Sequence, residues 1–388
     1  MVRVLLVHNY YQLRGGEDRV VANEQALLKQ FGHTVELHAV HNSAISGVAA
    51  KWAAFRSVAY NIKARDELAE RLRAGRPDVV HVHNTFPLLS PSVYDACADA
   101  DVPVVQTLHN FRLFCAGAVL LRNGAVCELC KDGRPYRAVM YRCYRNSVVG
   151  SLAVANLISY HNRRQTWSNK VARFIALSKF ARSKFIEAGF PADRMAVKPN
   201  FVMDPGVPES APREGVLLVG RLSPEKGVVN LVRALSGTGV QLRVLGDGPE
   251  LPALRAEATA NISFEGGVSP ERVREAMRRA NILVVPSIWH EPFGLVVVEA
   301  FANGLPVVAS RSGSLAEIIE DDVTGRLVPP ADPPALLAAV TELLADPARL
   351  RAMGMAARER YERRYSGRHN IKRLLEIYHE ALGWVRPA

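Results

Sequence analysis

Short β-rich apolar runs alternate with helical stretches along this chain, and the alternation stops midway and starts again. The first pass runs Val2 to Val7, a helix Glu17 to Phe31, Thr34 to Val40, a helix Val58 to Ala74, Val79 to Val82 and Val104 to Leu108. Strand, helix and strand in repetition is the wiring of a parallel sheet covered by helices. A Cys- and Arg-rich interval, residues 115–145, interrupts it and reads as an insertion; a helix Ser151 to Gln165, a strand Phe174 to Leu177 and a helix Lys179 to Ala188 follow. From Asn200 to Gly215 the chain is rich in Pro and Gly and loses its periodicity, which marks a linker. The wiring then resumes with strands Val216 to Val219, Leu242 to Leu245, Ile262 to Phe264, Ile282 to Val285 and Val307 to Ala309, separated by helices that include one from Ser223 and one from Gly294 to Asn303. Three further helices end the chain, Pro334 to Leu344, Ala348 to Tyr365 and Ser366 to Leu382.

The expected fold class is α/β, two Rossmann-like doubly wound parallel-sheet domains facing an interdomain cleft. Residues 1–204 form the N-terminal domain with its Cys-rich insertion, 205–365 the C-terminal domain, and 366–388 a last helix that packs back on the N-terminal domain. A chain of 388 residues that is 48% apolar can fill two such cores. Forty-nine Lys and Arg against 38 Asp and Glu leave +11, which favours anionic partners: nucleotides, nucleic acid or an acidic membrane face. The first apolar run is too short for a secretory signal, and the longest later one, Phe293 to Ala309, is broken by Glu299, Asn303, Gly304 and Pro306, so no spanning helix is expected. Five cysteines, an odd number, fit a reducing compartment, and the expected location is cytoplasmic, with peripheral contact at the inner face of the membrane as an option.

Open parallel sheets bind ligands beyond the carboxyl ends of their strands, so the loops after strands carry the chemistry. After Val216 to Val219 comes Gly220-Arg221-Leu222-Ser223-Pro224-Glu225-Lys226-Gly227, with Ser223 suited to an N-cap and Pro224 to the first helical position. Helix amides beside Arg221 and Lys226 suit a pyrophosphate; the alternative is a solvated turn. After Ile282 to Val285, Glu291 stands in a loop before a helix whose first amides, near Phe293, Gly294 and Leu295, can meet an anion or hydroxyl. Glu299 lies in an apolar helix and needs a partner, either a ribose diol or an arginine.

The segments Gly-Arg-Leu-Ser-Pro-Glu-Lys-Gly, Glu-Pro-Phe-Gly-Leu-Val-Val-Val-Glu-Ala, Asn-Gly-Leu-Pro-Val-Val-Ala-Ser and Val-Thr-Gly-Arg-Leu-Val resemble the retaining GT-B glycosyltransferases of family 4. The second is similar to that family's E-x7-E signature. The resemblance implies a C-terminal domain that binds a nucleotide diphosphate sugar as donor and an N-terminal domain on the acceptor side. It further implies that Glu299 holds the ribose, that Glu291 and the backbone of Phe293, Gly294 and Leu295 hold the donor sugar, and that Arg221 and Lys226, next to Gly220, hold the diphosphate. Gly15-Gly16-Glu17 looks like the family's glycine-rich loop near the donor phosphate, and His109 resembles its histidine beside the donor sugar, with Asn110 where an Asp often follows. The implied mechanism is front-face attack with retention, without a catalytic metal or other cofactor, in cell-surface polysaccharide, lipid-linked glycan or secondary-metabolite assembly. The acceptor is then a glycan, a lipid-linked saccharide or a small-molecule alcohol.

His81, His83 and Asn84 end another strand; His81 reads as a satisfied core histidine, and two ligands are thin support for a metal. Cys127 and Cys130 form Cys-x2-Cys, flanked by Cys115 and Cys143, which suits a structural zinc site; reduced thiols or a labile disulfide are the alternatives. Cys97 reads as core. Arg122, Lys131, Arg134, Arg137, Arg142 and Arg145, with Tyr136, Tyr141 and Tyr144 between them, make a basic aromatic segment that suits a lipid diphosphate, an acidic sugar or a membrane surface, or is simply solvated. Two other functions compete: another GT-B enzyme such as a nucleotide-sugar epimerase, and a zinc-containing basic nucleic-acid binder. The second leaves Glu291 and Glu299 without a purpose, so nucleic acid is not an expected partner.

Overall fold

The computed structural model describes residues 1–12, 15–206 and 212–386, so the centre of the expected linker, 207–211, lies outside the described residues. The chain forms two compact units: Met1–Leu120 with Cys127–Asn200 and Asn370–Ala388, and Leu121–Val126 with Phe201–His369. The division falls at 200/201, where the sequence suggests 204/205, and the last helix, Gly367–Leu382, belongs to the first unit from Asn370 onward.

The strands of the first unit are Arg3–Tyr10 (β1), Thr34–His41 (β2), Val79–Asn84 (β3), Val104–Leu108 (β4), Arg173–Ala176 (β7) and Met195–Val197 (β8); the hairpin Leu121–Arg122 (β5) and Ala125–Val126 (β6), between β4 and β7 in the chain, is counted with the second unit. Its sheet has the order β2-β1-β3-β4-β7-β8, every pair parallel. The second unit holds Val216–Val219 (β9), Leu242–Leu245 (β10), Ile262–Gly266 (β11), Ile282–Val285 (β12), Val307–Ser310 (β13) and Gly325–Val328 (β14), in the order β11-β10-β9-β12-β13-β14, again all parallel. In each sheet the order reverses once, between β1 and β3 and between β9 and β12. Such a reversal sends neighbouring connections to opposite faces and opens a crevice at the strands' carboxyl ends, where ligands bind.

The central strands β3, β4, β12 and β13 are buried along their whole length; β12 accordingly reads as an unbroken apolar run, while β3 and β4 carry polar residues, His81, His83 and Asn84 in one and Gln106 and Thr107 in the other. One core gathers Val7, Val80, Leu108, Phe111, Phe174 and Phe185, and another Leu218, Leu231, Val244, Val284, Val308 and Val340. Each is enclosed within its own unit.

Local chemistry moved several expected boundaries. The helix expected over Val58 to Ala74 runs Ile62–Gly75, and a further helix that the sequence did not suggest, Gly47–Ser57, precedes it. Asn61 separates them: its side chain accepts the Ala64 amide at 3.3 Å while its own amide donates to Ser90 Oγ at 2.9 Å, so it caps the second helix. The helix expected from Ser223 begins only at Val228, behind a 3-10 turn over Pro224–Lys226. Ser223 caps nothing there; its hydroxyl donates to Glu225 at 2.6 Å. Gly227 starts the helix with φ +63, and a Cβ on it would sit 2.2 Å from the Pro286 carbonyl oxygen, so a side chain is excluded. β8 and β14, three and four residues long, carry too little periodicity to be expected as strands.

Candidate active site

The loops after β9 and β12, which flank the reversal of the second sheet, meet through an ion pair. Lys226 Nζ lies 2.5 Å from Glu291 Oε1, and Ser287 Oγ donates to the same oxygen at 2.8 Å. Glu291 is buried at 5% exposure, so this carboxylate is held in one place by an ammonium and a hydroxyl. The Lys226 ammonium also stands 5.2 Å over the Trp289 ring, which fixes its approach. Arg221 is exposed on the β9 side of the same loop, and Gly220 stands directly before it.

The helix Leu295–Ala302 starts directly behind Glu291 with Gly294 as its N-cap. Among the described residues no acceptor meets the amides of Phe293, Gly294 and Leu295, so they form a donor set at the positive end of a helix dipole. Glu299, one turn further in, is half-buried. The Glu291 loop is set by backbone contact: Ser314 N donates to Glu291 O at 3.0 Å, and Gly313, at φ +55, leaves room for it. A Cβ on Gly313 would stand 2.8 Å from both the nitrogen and the oxygen of Glu291. Gly313→Ala should therefore shift the Glu291 carboxylate and reduce turnover about tenfold or more without unfolding the chain, because small misplacements at a reacting centre are expensive. Steady-state kinetics with circular dichroism checks this, and wild-type turnover would refute it.

In the first unit the strands next to the reversal end in β1's loop, in His83 and Asn84 of β3, and in His109 after β4. Gly15 caps the helix Gly16–Gln30, and its amide donates to Asp18 Oδ2 at 3.0 Å while Asp18 Oδ1 meets His8 Nε2 at 2.8 Å. Asp18 thus ties the Gly15-Gly16 turn to β1. His109 Nε2 lies 3.0 Å from His83 Nδ1, and His83 Nε2 lies 3.4 Å from Glu24 Oε2. Burial, and after it the adjacent His83, hold His109 well below the ordinary histidine range, so it is a neutral imidazole near pH 7. His81 has both ring nitrogens engaged, with Tyr378 Oη at 2.8 Å and Thr107 Oγ1 at 2.7 Å, and is the satisfied core histidine the sequence suggests.

Residues 14–203 match the family model described as Glycosyltransferase Family 4, and residues 207–360 the one described as Glycosyl transferases group 1. The chain belongs to the GT-B glycosyltransferases of family 4. It is 35% identical over 227 residues to the phosphatidyl-myo-inositol mannosyltransferase of Mycobacterium leprae, a match covering 55% of this chain and 60% of that one. Over 209 residues it is 35% identical to the D-inositol 3-phosphate glycosyltransferase of Nocardia farcinica, covering 50% of this chain and 45% of the relative. The chain therefore spans about half the length of the curated relatives it matches. Among solved structures, HepE of Anabaena in complex with UDP and glucose has a TM-score of 0.69 at 18% identity, covering 97% of this chain and 99% of that one. These likenesses and the two parallel sheets make the fold GT-B.

Within this glycosyltransferase the expected site residues divide by unit: Gly220, Arg221, Lys226, Glu291, Phe293, Gly294, Leu295 and Glu299 in the second, Gly15, Gly16 and His109 in the first. The structure adds partners that the sequence did not single out. Ser287 sits four positions before Glu291, a spacing that was visible but without a motif. Glu24 and Lys198 stand behind His83, and Glu17, next to the glycine pair, accepts from Asn110 Nδ2 at 3.5 Å. Burial, and secondarily Asp18, push the Glu17 carboxyl up to about 8.

Proposed function

We propose that the chain moves a sugar from a nucleotide diphosphate sugar to an acceptor hydroxyl with retention of anomeric configuration. The observation that carries this reading is the Lys226–Glu291 pair at 2.5 Å beside the open amides of Phe293, Gly294 and Leu295, at the sheet's point of reversal. Arg221, Lys226 and those amides face the diphosphate, Glu299 takes the ribose hydroxyls, and Glu291 takes a hydroxyl of the donor sugar. The C1–O bond to the diphosphate breaks as the bond from C1 to the acceptor oxygen forms on the same face, and the acceptor proton passes to the departing diphosphate. Charge developing on that group is met by guanidinium, ammonium and amides, so this reading assigns no catalytic metal. His109 and the Gly15-Gly16 turn belong to the first unit's part of the reaction, His109 as a neutral imidazole beside the donor sugar.

The relatives' names, an inositol-lipid mannosyltransferase among them, favour a lipid-linked or glycan acceptor over a small-molecule alcohol. Exposed Met140, Tyr141 and Val149 among Arg142 and Arg145 suit contact with an anionic membrane face. Among the described residues no helix is long and apolar enough to cross a membrane. A reducing, cytoplasmic setting fits the odd number of cysteines.

A thermal-shift screen of UDP- and GDP-sugars tests the donor site, since a ligand at 100 times its Kd adds about 2.7 kcal/mol to the native state. One donor should raise the melting temperature, and Glu299→Ala should weaken its binding roughly tenfold to a hundredfold through the loss of charged hydrogen bonds. Absence of a shift with every millimolar nucleotide sugar would remove the reading.

A further inference from the structure

Four of the five cysteines lie in the first unit, in the insertion between β4 and the helix Val148–Arg163, while Cys97 is buried in the main core. Cys127 and Cys130 have two residues between them, with Cys115 twelve residues before the pair and Cys143 thirteen after it. The Cys130 thiol lies within electrostatic reach of Cys115, Cys143 and Cys127 together. A Cβ on Gly117 would be 4.0 Å from Cys115 Sγ and 3.9 Å from the Cys143 Cβ, which puts these two side chains on one small patch of backbone. Cys130 and Cys143 pack on the same cluster of Phe86, Ala116, Ala138 and Val154. The five cysteines form no disulfide.

A further feature points to a cation. The one acid between the paired cysteines, Glu128, is turned away to Lys131 and Lys184, each at 2.8 Å, so the ligand set is sulfur alone. The insertion also needs a fastening. Its regular structure is the two-residue strands β5 and β6 and the single turn Arg137–Met140, and Val126, Leu129, Tyr136, Met140 and Tyr141 are exposed. So little burial cannot offset the conformational entropy of some thirty ordered residues.

We propose that Cys115, Cys127, Cys130 and Cys143 bind one zinc ion as four thiolates, and that the ion fastens the insertion to the first unit. Soft all-sulfur ligands select zinc or iron–sulfur chemistry, and a closed four-ligand shell is that of a structural zinc. The sulfurs close around the ion as it binds, since thiolate sites form together with their metal. Among the described residues the ligand atoms that already lie within 4.8 Å of one another are those of Glu24, His81 and His83, and that group is excluded by the Lys198 ammonium 2.5 Å from Glu24 Oε1.

The test needs no knowledge of donor or acceptor, so it stands or falls apart from the glycosyltransfer reading. The full-length chain, expressed in zinc-supplemented medium and purified without chelator, should contain about one zinc per molecule by mass spectrometry of the elements. Cobalt substitution should give the intense visible bands and sulfur-to-metal charge transfer of a tetrahedral thiolate site. Cys130→Ser should lose the metal, Cys97→Ser should keep it, and stripping zinc from the wild type should lower the melting temperature on the order of 5 °C. If Cys130→Ser does not fold, the wild type and Cys97→Ser decide the matter alone. A metal-free chain with five titratable thiols, a disulfide among the four, bound iron, or zinc lost in Cys97→Ser would each overturn the proposal.

Discussion

Lys198→Met should destabilise the protein by about 3–5 kcal/mol, because it leaves a buried carboxylate without its counter-charge. Lys198 has no exposed surface; its ammonium lies 2.5 Å from Glu24 Oε1 and 3.1 Å from Asn370 Oδ1. Glu24 is equally inaccessible and faces His81 Nδ1 at 3.7 Å and His83 Nε2 at 3.4 Å. Burial by itself would raise the Glu24 carboxyl, but the Lys198 ammonium and then His83 outweigh it and hold it well below the usual carboxylate range. The sign of the pH dependence follows. A carboxyl whose folded-state value is depressed adds stability that is complete above its unfolded value near 4.5 and is lost as pH falls towards the folded value. The gap between wild type and Lys198→Met should be widest at high pH and narrow as pH falls, because burial without the ammonium raises the Glu24 carboxyl in the variant, which takes up a proton before the wild type does. Adding Glu24→Gln should recover much of the loss, since removing both charges spares the cost of either alone. Urea unfolding of the three proteins measures this, and a single-variant loss below about 1 kcal/mol would mean that the pair is of no consequence.

The second large effect belongs to Glu291. On the proposed function, Glu291→Ala should lower kcat by a factor on the order of 100 to 1000 while changing nucleotide affinity little, because the proposal puts its contact on the sugar undergoing reaction. The substitution also releases Lys226, whose ammonium would then face the diphosphate without its buried partner. Glu291→Gln keeps a hydrogen-bonding group towards Ser287 but gives up the ion pair, so it should fall between wild type and alanine. The contrast with Glu299→Ala is the informative part: one change acts on turnover, the other on binding. A kcat for Glu291→Ala within threefold of wild type would take Glu291 out of the reaction.

The second unit was legible because its chemistry sits in contiguous segments just after strands. Gly220 to Gly227 and Glu291 to Glu299 can be read along the chain, and the fold needs only to bring two loops together. The helix start at Val228 was not legible: Ser223-Pro224 looks like a cap, and nothing nearby in sequence announces that the Pro286 carbonyl presses on Gly227. In the first unit the glycine pair and His109 could be found by their position after strands, whereas the groups behind them could not. Glu24 and Lys198 are 174 residues apart, and each sits in a stretch where an acid or a lysine reads as a solvated surface charge. Glu17 was seen only as the end of a glycine turn, because the burial that raises its carboxyl is a property of packing. The cysteines lie between these cases: their spacing is plain in the sequence, and their convergence is a matter of the fold.

The first unit takes segments from both sides of the second, and Asn370 and Tyr378 reach Lys198 and His81 from the helix Gly367–Leu382. The first unit is therefore completed by a segment that follows the second unit along the chain, and can close only after residues 201–369 have been made. No single cut yields two self-sufficient pieces: a fragment ending at residue 200 keeps the buried lysine but forfeits the amide and phenol that accompany it. Swapping the second unit among related chains thus requires two joints, one on each side of the transplanted part.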